Sequence, residues 1–374
     1  MKDKPLVSII VPVYNGAEFV DQTIESILNQ IYDNFELIII DDASTDNSVE
    51  VINRYKDVRI KKIFHKENKN VCISCNEAYA LAKGVYIAGT GHDDIWKIDK
   101  LEKQVKFMTE NPEYGVCFSK ADVIDENGRI VNENEECQSL FNRFNSENRS
   151  SNEWIKELIQ NGNFFCAPTM LIRREILRNS FYRETFLQLQ DFELWLYILQ
   201  KSKVYIYPER LLQYRRFLNS DRNLSSMSEE PLVRASHEND YIIYHFIRDM
   251  EGEKFFELFG EELGVPKEDS ENFLKCARAF ILYRYHNPYC LEYFTELMGD
   301  SGLRECMEEK YGFTLKEYYK MMGETFWFDT DSCQKYKEAV EGIYNCNGMI
   351  EQLNSIIQRQ NDIINQLMNH CEER

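Results

Sequence analysis

The chain has 374 residues, of which 43% are hydrophobic and 29% charged, and its formal net charge is −19. This length predicts two or three domains, and the composition excludes global disorder because a sizeable core can form. The acidic balance argues against nucleic acid as a partner, since a nucleic-acid binder normally carries a basic face.

No segment predicts export or membrane insertion. The apolar run at the N-terminus alternates into Pro12 and Asn15 without a small-residue cleavage site, so we expect no signal peptide. No apolar run approaches the roughly 20 residues needed to span a bilayer. The eleven cysteines are scattered through apolar or helical segments, which favours a reducing compartment. We therefore expect a cytoplasmic protein, with peripheral association at the inner face of the membrane as the alternative.

Strands and helices alternate along the first 110 residues or so. Apolar, β-branched runs predict buried strands over residues 6–14, 36–40, 59–64 and 85–89. Amphipathic or capped segments predict helices around residues 20–28, from about Asp46, over 71–83 and after Ile98. This alternation is typical of βαβ units and predicts a parallel sheet.

Polar residues follow three of these strands at their carboxyl ends. Tyr14 and Asn15 follow the first, Asp42 the second, and the pair Asp93 and Asp94 the fourth. Ligands of parallel α/β sheets bind at the carboxyl ends of the strands, so we expect these residues to open onto one crevice.

The pattern changes after residue 115. Asn127 and Gly128, between apolar runs, predict a hairpin turn, and a further strand is expected over 203–208. Between them, an apolar helix is predicted to begin at or near Asp191. An extended piece and a polar loop then lead to residue 226, after which the segments are amphipathic helices rich in Tyr and Phe.

The last forty residues carry a heptad pattern. One core position holds Ile343, Ile350, Ile357 and Ile364, and the other holds Cys346, Leu353, Gln360 and Leu367. This pattern predicts a short coiled coil, and we expect residues 336–371 to mediate self-association, as a dimer more readily than as a trimer. The alternative is a tail folded back on residues 227–335.

Two runs carry a family resemblance: "VSIIVPVYNGAEFVDQTIESILNQIYDNFELIIIDDASTDNSVEVI" and "KGVYIAGTGHDDIWKIDKLEKQV". They resemble the nucleotide-sugar domain of glycosyltransferase family 2 over about residues 5–226. The resemblance implies an α/β GT-A fold, a Rossmann-like, mostly parallel mixed sheet flanked by helices. We therefore expect a GT-A domain over 1–226, an all-α accessory domain over 227–335 and a coiled-coil helix over 336–374.

The resemblance also implies an inverting transfer of a sugar from a nucleotide sugar, with UDP favoured, to a hydroxyl group of a glycan or glycoconjugate. Asp42 corresponds to the carboxylate that accepts the N3–H of uracil. The other positions that correspond to the nucleotide site are Pro12, Val13, Tyr14, Asn15, Asn76, His92 and Arg215.

A divalent cation, Mn²⁺ or Mg²⁺, is the cofactor that the resemblance implies. Asp93 corresponds to the last aspartate of the Asp-x-Asp metal motif, and Asp94 is the neighbouring candidate ligand. Such a cation takes few protein ligands when it also binds a diphosphate. Asp191 corresponds to the catalytic base.

The sequence departs from the family pattern near these positions. Gly91 stands at the first aspartate of the metal motif, and Gln190 stands where glutamate usually precedes the base. Cys75 replaces the arginine that usually precedes Asn76, and Phe217 replaces a frequent histidine. A protein of this kind is therefore either a metal-dependent transferase or a non-catalytic nucleotide-sugar or glycan-binding scaffold of a glycosylation complex.

Each assignment also has a structural alternative. Asp191 is a good helix N-cap, Arg215 is a candidate for surface ion pairs, and His92 can act as a spacer at the strand end. A nucleotidyltransferase on a similar sheet is disfavoured because the chain has no Gly-rich, basic phosphate loop near its N-terminus.

Overall fold

The structure is a computed structural model that describes residues 4–178, 180–218, 229–264 and 270–324. Within these ranges, no helix combines the length and the apolar character required to cross a membrane. The predicted coiled coil over residues 336–374 lies outside the described residues and stays a prediction from the sequence.

An eight-stranded mixed sheet runs in the order β3-β2-β1-β4-β7-β6-β8-β5. Its strands are β1 (Val7–Val13), β2 (Phe35–Asp41), β3 (Ile60–Phe64), β4 (Tyr86–Gly89), β5 (Ile95–Trp96), β6 (Tyr114–Ile124), β7 (Leu171–Arg173) and β8 (Lys203–Arg215). The first four strands are mutually parallel, as predicted. β7 then joins antiparallel to both β4 and β6, and β8 pairs parallel with β6 and antiparallel with β5.

The central position of β1 follows from its composition. All of its residues except Pro12 are buried, so both faces of the strand are covered, as is usual for a parallel strand between helical layers. Val7, Ile9 and Val11 belong to the main core cluster together with Ile24 and Ile27 of the following helix. Full burial of each such side chain contributes about 1.5–3 kcal/mol.

Thirteen α-helices occur among the described residues. They are α1 (Val20–Leu28), α2 (Ser48–Arg54), α3 (Val71–Leu81), α4 (Lys100–Glu110), α5 (Glu135–Phe144), α6 (Ser151–Asn161), α7 (Gln190–Leu199), α8 (Glu229–Arg248), α9 (Gly252–Leu263), α10 (Glu271–Arg284), α11 (Cys290–Gly299), α12 (Ser301–Tyr311) and α13 (Leu315–Glu324). Asn70 begins α3 at φ 78°, and its side chain accepts hydrogen bonds from the N–H groups of Cys72 and Ile73. This capping fixes the start of a helix that borders the site described below.

The described residues fall into two compact units. The first contains residues 4–264, within the gaps given above, together with 280–289, and the second contains 270–279 and 290–324. In the second unit Phe273 stacks on Tyr311 with ring centroids 5.3 Å apart. Asp300 caps α12 by accepting the N–H of Leu303 at 2.9 Å.

The turn predicted at Asn127 and Gly128 is present, with Gly128 at φ 79°. However, among the described residues the turn is flanked by an isolated antiparallel bridge between Ile124 and Ile130 and not by a pair of strands. The reason is local, because the carboxylate of Asp125 accepts the N–H groups of Asn127 and Arg129 and closes the turn on itself.

Candidate active site at the carboxyl ends of the strands

The parallel strands end at one edge of the sheet, as predicted from the sequence. Val13, the last residue of β1, is level with Asp41, the last residue of β2. β4 stops earlier, with Gly89 opposite Ile10, so the segment from Thr90 onward runs beside the end of β1. The polar residues that follow these strands therefore share one rim.

The loop after β1 is held by the loop after β2. Asn15, at φ 50°, donates its N–H to the hydroxyl of Ser44, and its side-chain oxygen accepts the N–H of Thr45 at 2.8 Å. Ala43 is also in the left-handed region, at φ 61°, where a residue with a Cβ is strained. Asn15 therefore shapes the rim through backbone contacts, and the Tyr14 side chain beside it is 47% exposed.

Pro12 and Val13 lie inside β1 opposite Ile40 and Asp41. Val13 is buried and Pro12 is half-buried, so their contribution to the rim comes through the backbone of the strand end.

Asp42 lies directly under this rim and is almost fully buried. Its Oδ1 accepts two hydrogen bonds, from the backbone N–H of Lys69 at 2.9 Å and from the His65 ring at 2.7 Å. Among the described residues, no donor hydrogen-bonds to Oδ2. One oxygen of the carboxylate is thus anchored, and the other can accept a hydrogen bond from a ligand.

Asn76, on α3, binds the protein chain rather than facing the rim. Its side-chain oxygen accepts the N–H of Tyr182 at 2.8 Å, and its amide donates to the carbonyl of Tyr182 and to Glu184. This places Asn76 between α3 and the segment that leads into α7. Cys75, next to it, is buried, and burial raises the pKa of its thiol.

His92 packs directly on the loop after β1. A Cβ added to Gly16 would lie only 2.3 Å from Cδ2 of the His92 ring, so only glycine at position 16 allows this contact. The ring and the rim loop are therefore in van der Waals contact, and a side chain at position 16 would displace the His92 ring.

The two adjacent aspartates have different environments. Asp94 is fully buried, and its side chain accepts hydrogen bonds from Thr90, from the N–H of Gly91 and from the N–H of Arg215. Burial, followed by the charge of Asp93, raises the pKa of the Asp94 carboxyl well above its usual range. Asp94 therefore organises the turn.

Asp93 is half-buried, and among the described residues its carboxylate has no hydrogen-bond partner. A Cβ added to Gly91 would lie 2.6 Å from Asp93 Oδ1. Position 91 is where an Asp-x-Asp motif would have its first aspartate. The Asp93 carboxylate lies next to the place that the Cβ of that aspartate would occupy. The missing side chain at position 91 is what leaves room for it.

A divalent cation fits this arrangement only through one carboxylate. In the part of the chain that the structure describes, no group of three or more His, Cys, Asp or Glu side chains forms a protein-only metal cage. Asp93 is half-buried at the rim and has no ion-pair partner in the described part of the chain, which suits an ion that takes most of its remaining ligands from a diphosphate and water. Asp94 is committed to the turn and does not fit this role as well.

Arg215 ends β8 and is buried beneath the turn. Its guanidinium donates to the carbonyls of Asp93, Asp125 and Glu126 and to the side chain of Gln22, and it lies over the Phe19 ring at 4.5 Å. Four of the five N–H donors of the guanidinium are used in these contacts. In this structure Arg215 braces the turn that carries Asp93.

Asp191 occupies the first turn of α7. Its Oδ2 accepts the side-chain amide of Asn163 at 2.8 Å, and its Oδ1 accepts the N–H of Phe192 at 2.7 Å. Burial raises the pKa of Asp191 to about 6, and the hydrogen bonds from Phe192 and Asn163 oppose that rise only in part. A carboxyl group with this pKa is mostly ionised at neutral pH and is still a competent proton acceptor.

A second carboxylate, missed by the sequence analysis, holds the segment that leads to Asp191. Glu238, on α8, accepts the three consecutive backbone N–H groups of Leu187, Gln188 and Leu189 at 2.7–2.9 Å. These residues precede α7, so an anion here also complements the positive end of the helix dipole. The contact joins residues about fifty positions apart, and no local pattern in the sequence reveals it.

Electrostatics connects the two ends of the site. The Cys166 thiol is buried, and its pKa is raised first by burial and then by the charges of Asp94 and Asp191. The charges of Asp94, in the turn below the rim, and of Asp191, at the start of α7, therefore both act on this one buried thiol. Asn163, three residues earlier, is the other contributor that the sequence analysis missed.

Comparison with known proteins places this site in a family context. The family model described as Glycosyl transferase family 2 matches residues 8–181. An uncharacterized glycosyltransferase of Methanocaldococcus jannaschii is 34% identical over 235 residues, which are 62% of this chain and 77% of that relative. The Escherichia coli protein WfaP, named as a UDP-Glc:alpha-D-GlcNAc-diphosphoundecaprenol beta-1,3-glucosyltransferase, is 33% identical over 53% of this chain and 71% of its own length.

This chain covers less than half of the length of two other relatives, 43% of one and 44% of the other. Among solved structures, S. aureus TarS 1–349 in complex with UDP-GlcNAc superposes with a TM-score of 0.53 at 16% identity. The match covers 83% of this chain and 89% of that chain. At this identity the likeness concerns the fold, and it confirms the predicted GT-A architecture.

Proposed function

This chain belongs to glycosyltransferase family 2, and we propose that it is an inverting enzyme that moves a sugar from a UDP-sugar to a hydroxyl group of a glycan or glycoconjugate. Family membership makes it a glycosyltransferase. The observation that carries the proposed mechanism is Asp191, whose pKa is raised to about 6 and whose two oxygens are held by Asn163 and Phe192.

The donor is proposed to bind along the rim formed by the strand ends. Asp42 Oδ2 is an acceptor without a partner among the described residues, and the N3–H of uracil is the donor edge that it would read. A cytosine ring offers an acceptor at the equivalent position, so the same carboxylate would select against it. The rim loop around Asn15 and Tyr14 would then lie against the nucleoside.

Asp191 is proposed to act as the general base. It takes the proton of the acceptor hydroxyl as that oxygen forms a bond to the anomeric carbon of the donor. The bond from this carbon to the diphosphate oxygen breaks at the same time, and its electron pair leaves with UDP. Attack from the face opposite the diphosphate inverts the anomeric centre, and no covalent enzyme intermediate is required.

Asp93 is the residue that we propose holds the divalent cation, Mn²⁺ or Mg²⁺. When bound, the cation would neutralise charge that builds on the departing diphosphate. Arg215 and Asp94 would hold the turn that presents Asp93, through the contacts described above.

For the acceptor, we propose a sugar linked to a lipid diphosphate, the class named for the E. coli relative WfaP. An open groove of about 830 Å³ adjoins the segment that leads into α7, and its lining includes Leu187 and Val233 together with the charged side chains of Glu229, Glu230, Arg234 and Glu238. Its volume is enough for more than one sugar ring.

A transfer assay tests this proposal. The full-length chain would be given a panel of nucleotide sugars, N-acetylglucosaminyl diphospholipid and Mn²⁺, and UDP release would be measured. We expect release from a UDP-sugar to depend on the acceptor in the wild type and to be lost in Asp191→Asn. Tight binding of a UDP-sugar without any turnover would instead support the non-catalytic scaffold.

A further inference from the structure

The His65 side chain lies between two carboxylates beneath the nucleotide rim. Its Nδ1 is 2.7 Å from Asp42 Oδ1, and its Nε2 is 2.8 Å from Glu77 Oε2. The ring is only 4% exposed, whereas the Glu77 side chain is 40% exposed. Glu77 is bound in turn by the ammonium group of Lys69 at 2.9 Å.

The geometry constrains the protonation of this ring. An ionised carboxylate can only accept hydrogen bonds, so two carboxylate contacts require an N–H on both ring nitrogens. The doubly protonated, cationic imidazole satisfies both contacts. The neutral ring has one N–H and would present a lone pair to one of the two carboxylates.

We propose that His65 is a positioning residue for recognition of the donor base. In its cationic form it holds Asp42 Oδ1 and links it through Glu77 to α3, which leaves Oδ2 to accept the uracil N3–H. This inference rests on the proposed function, in which Asp42 reads the base. Loss of the His65 proton releases one carboxylate from the ring, and the affinity for a uracil nucleotide falls.

The surrounding charges support the cationic form. Burial lowers the pKa of His65, but the hydrogen bonds to Asp42 and Glu77 outweigh this effect, and the net pKa is raised even though Lys69 opposes it. The groups that face the ring are Asp42 at the end of β2, Glu77 on α3 and Lys69 in the segment before α3. Lys69 reaches Asp42 only through its backbone N–H, so among the described residues His65 is the side chain that can bring a positive charge into contact with Asp42.

The direction of the pH dependence follows from the raised pKa. The contribution of His65 is fully present below its ordinary pKa near 6.5 and is lost as the pH rises through the higher value in the folded protein. Donor binding should therefore weaken on the alkaline side of 6.5.

The test is the dissociation constant of UDP-glucose, measured by calorimetry on the full-length chain from about pH 5 to about pH 8. A nucleotide sugar is used because its diphosphate stays fully ionised over this range. All measurements are made in an Asp191→Asn background, so that the proposed base neither titrates nor turns over the donor.

We expect the reference protein to lose about ten- to hundredfold in affinity through an inflection above pH 6.5, the effect of one charge-assisted hydrogen bond. His65→Gln should bind weakly at low pH and show no inflection. Glu77→Gln keeps the His65–Asp42 contact but removes one stabilising charge, so its inflection should move to lower pH. Lys66→Gln, an exposed neighbour of the ring, is the matched control and should reproduce the reference curve.

Circular dichroism checks that each variant is folded. If His65→Gln does not fold, the shift of the inflection in Glu77→Gln tests the role of His65. A flat reference curve, an unchanged inflection in His65→Gln or an unmoved inflection in Glu77→Gln would overturn the role of His65. If Asp42→Asn still abolishes binding in that event, the donor assignment stands on its own. If UDP-glucose and the other UDP-sugars fail to bind at any pH, the donor assignment falls, and the role of His65 falls with it.

Discussion

Replacing Asp191 by asparagine keeps the size of the side chain and removes the ionisable group at the start of α7. We expect sugar transfer to fall by about 10²–10⁴-fold, the usual contribution of a general base. UDP-sugar binding should persist, because none of the residues assigned to the nucleotide lies on α7. In the wild type, the rate should rise with pH through an inflection near the pKa of about 6.

The same substitution has a thermodynamic signature. The rise of the Asp191 pKa from 3.8 to about 6 means that ionisation costs the folded state about 3 kcal/mol. Because the folded pKa is raised, the wild type has this stability in full below 3.8 and loses it as the pH rises through 6. The Asp191→Asn variant has no ionisable group at this position, so its stability does not fall with pH for this reason. Any change in the hydrogen bonds to Asn163 and Phe192 shifts its stability by an amount that does not depend on pH.

The assay is urea unfolding of both proteins from about pH 4 to about pH 8, with Glu102→Gln on the exposed first turn of α4 as the matched control. The difference in unfolding free energy between wild type and Asp191→Asn should change by about 3 kcal/mol in favour of the variant as the pH rises. A difference in unfolding free energy that does not vary with pH would refute the raised pKa of Asp191. Full transfer activity in the variant would refute the base.

Four further predictions concern other parts of the chain. Asn163→Ala removes a donor to the Asp191 carboxylate, so the acidic limb of the pH–rate profile should move to higher pH; an unmoved limb would contradict this contact. Glu238→Ala leaves three backbone N–H groups without their acceptor, so kcat should fall more than KM rises and stability should drop by about 1–3 kcal/mol, and a change in KM alone would contradict it. Asp93→Ala should abolish the Mn²⁺-dependent part of UDP binding in titration calorimetry, whereas an unchanged metal dependence would transfer the assignment to Asp94. Truncation after Gln334 should convert an oligomer to a monomer in light scattering, and equal monomer masses for both chains would contradict the predicted coiled coil.

The first four strands, their parallel pairing and the rim at their ends were predictable because they depend on local patterns. A β-branched run followed by polar residues indicates a strand end, and this rule located Asp42 and Asp93 correctly at one edge of the sheet. The pairing of β7 with β4 and β6, and of β5 with β8, was not predictable. β7 has three residues and β5 has two, so neither strand carries a periodicity of its own.

The supporting contacts were beyond the sequence for a different reason. Asn163 reaches Asp191 from 28 positions away, and Glu238 reaches the same segment from α8, so neither is signalled by spacing. Arg215 shows the converse. Its position in the family pattern predicts a nucleotide contact, which stays a prediction, and its contacts with backbone carbonyls and Gln22 are seen only in the three-dimensional arrangement.

The configuration of the transferred sugar tests the central proposal most directly. The product formed from an α-linked UDP-sugar and an N-acetylglucosaminyl diphospholipid would be analysed by proton NMR, using the coupling constant of the anomeric proton. A single-displacement reaction with Asp191 as base predicts a β-linked product and no covalent sugar–enzyme species. An α-linked product would contradict the inverting mechanism and the role assigned to Asp191.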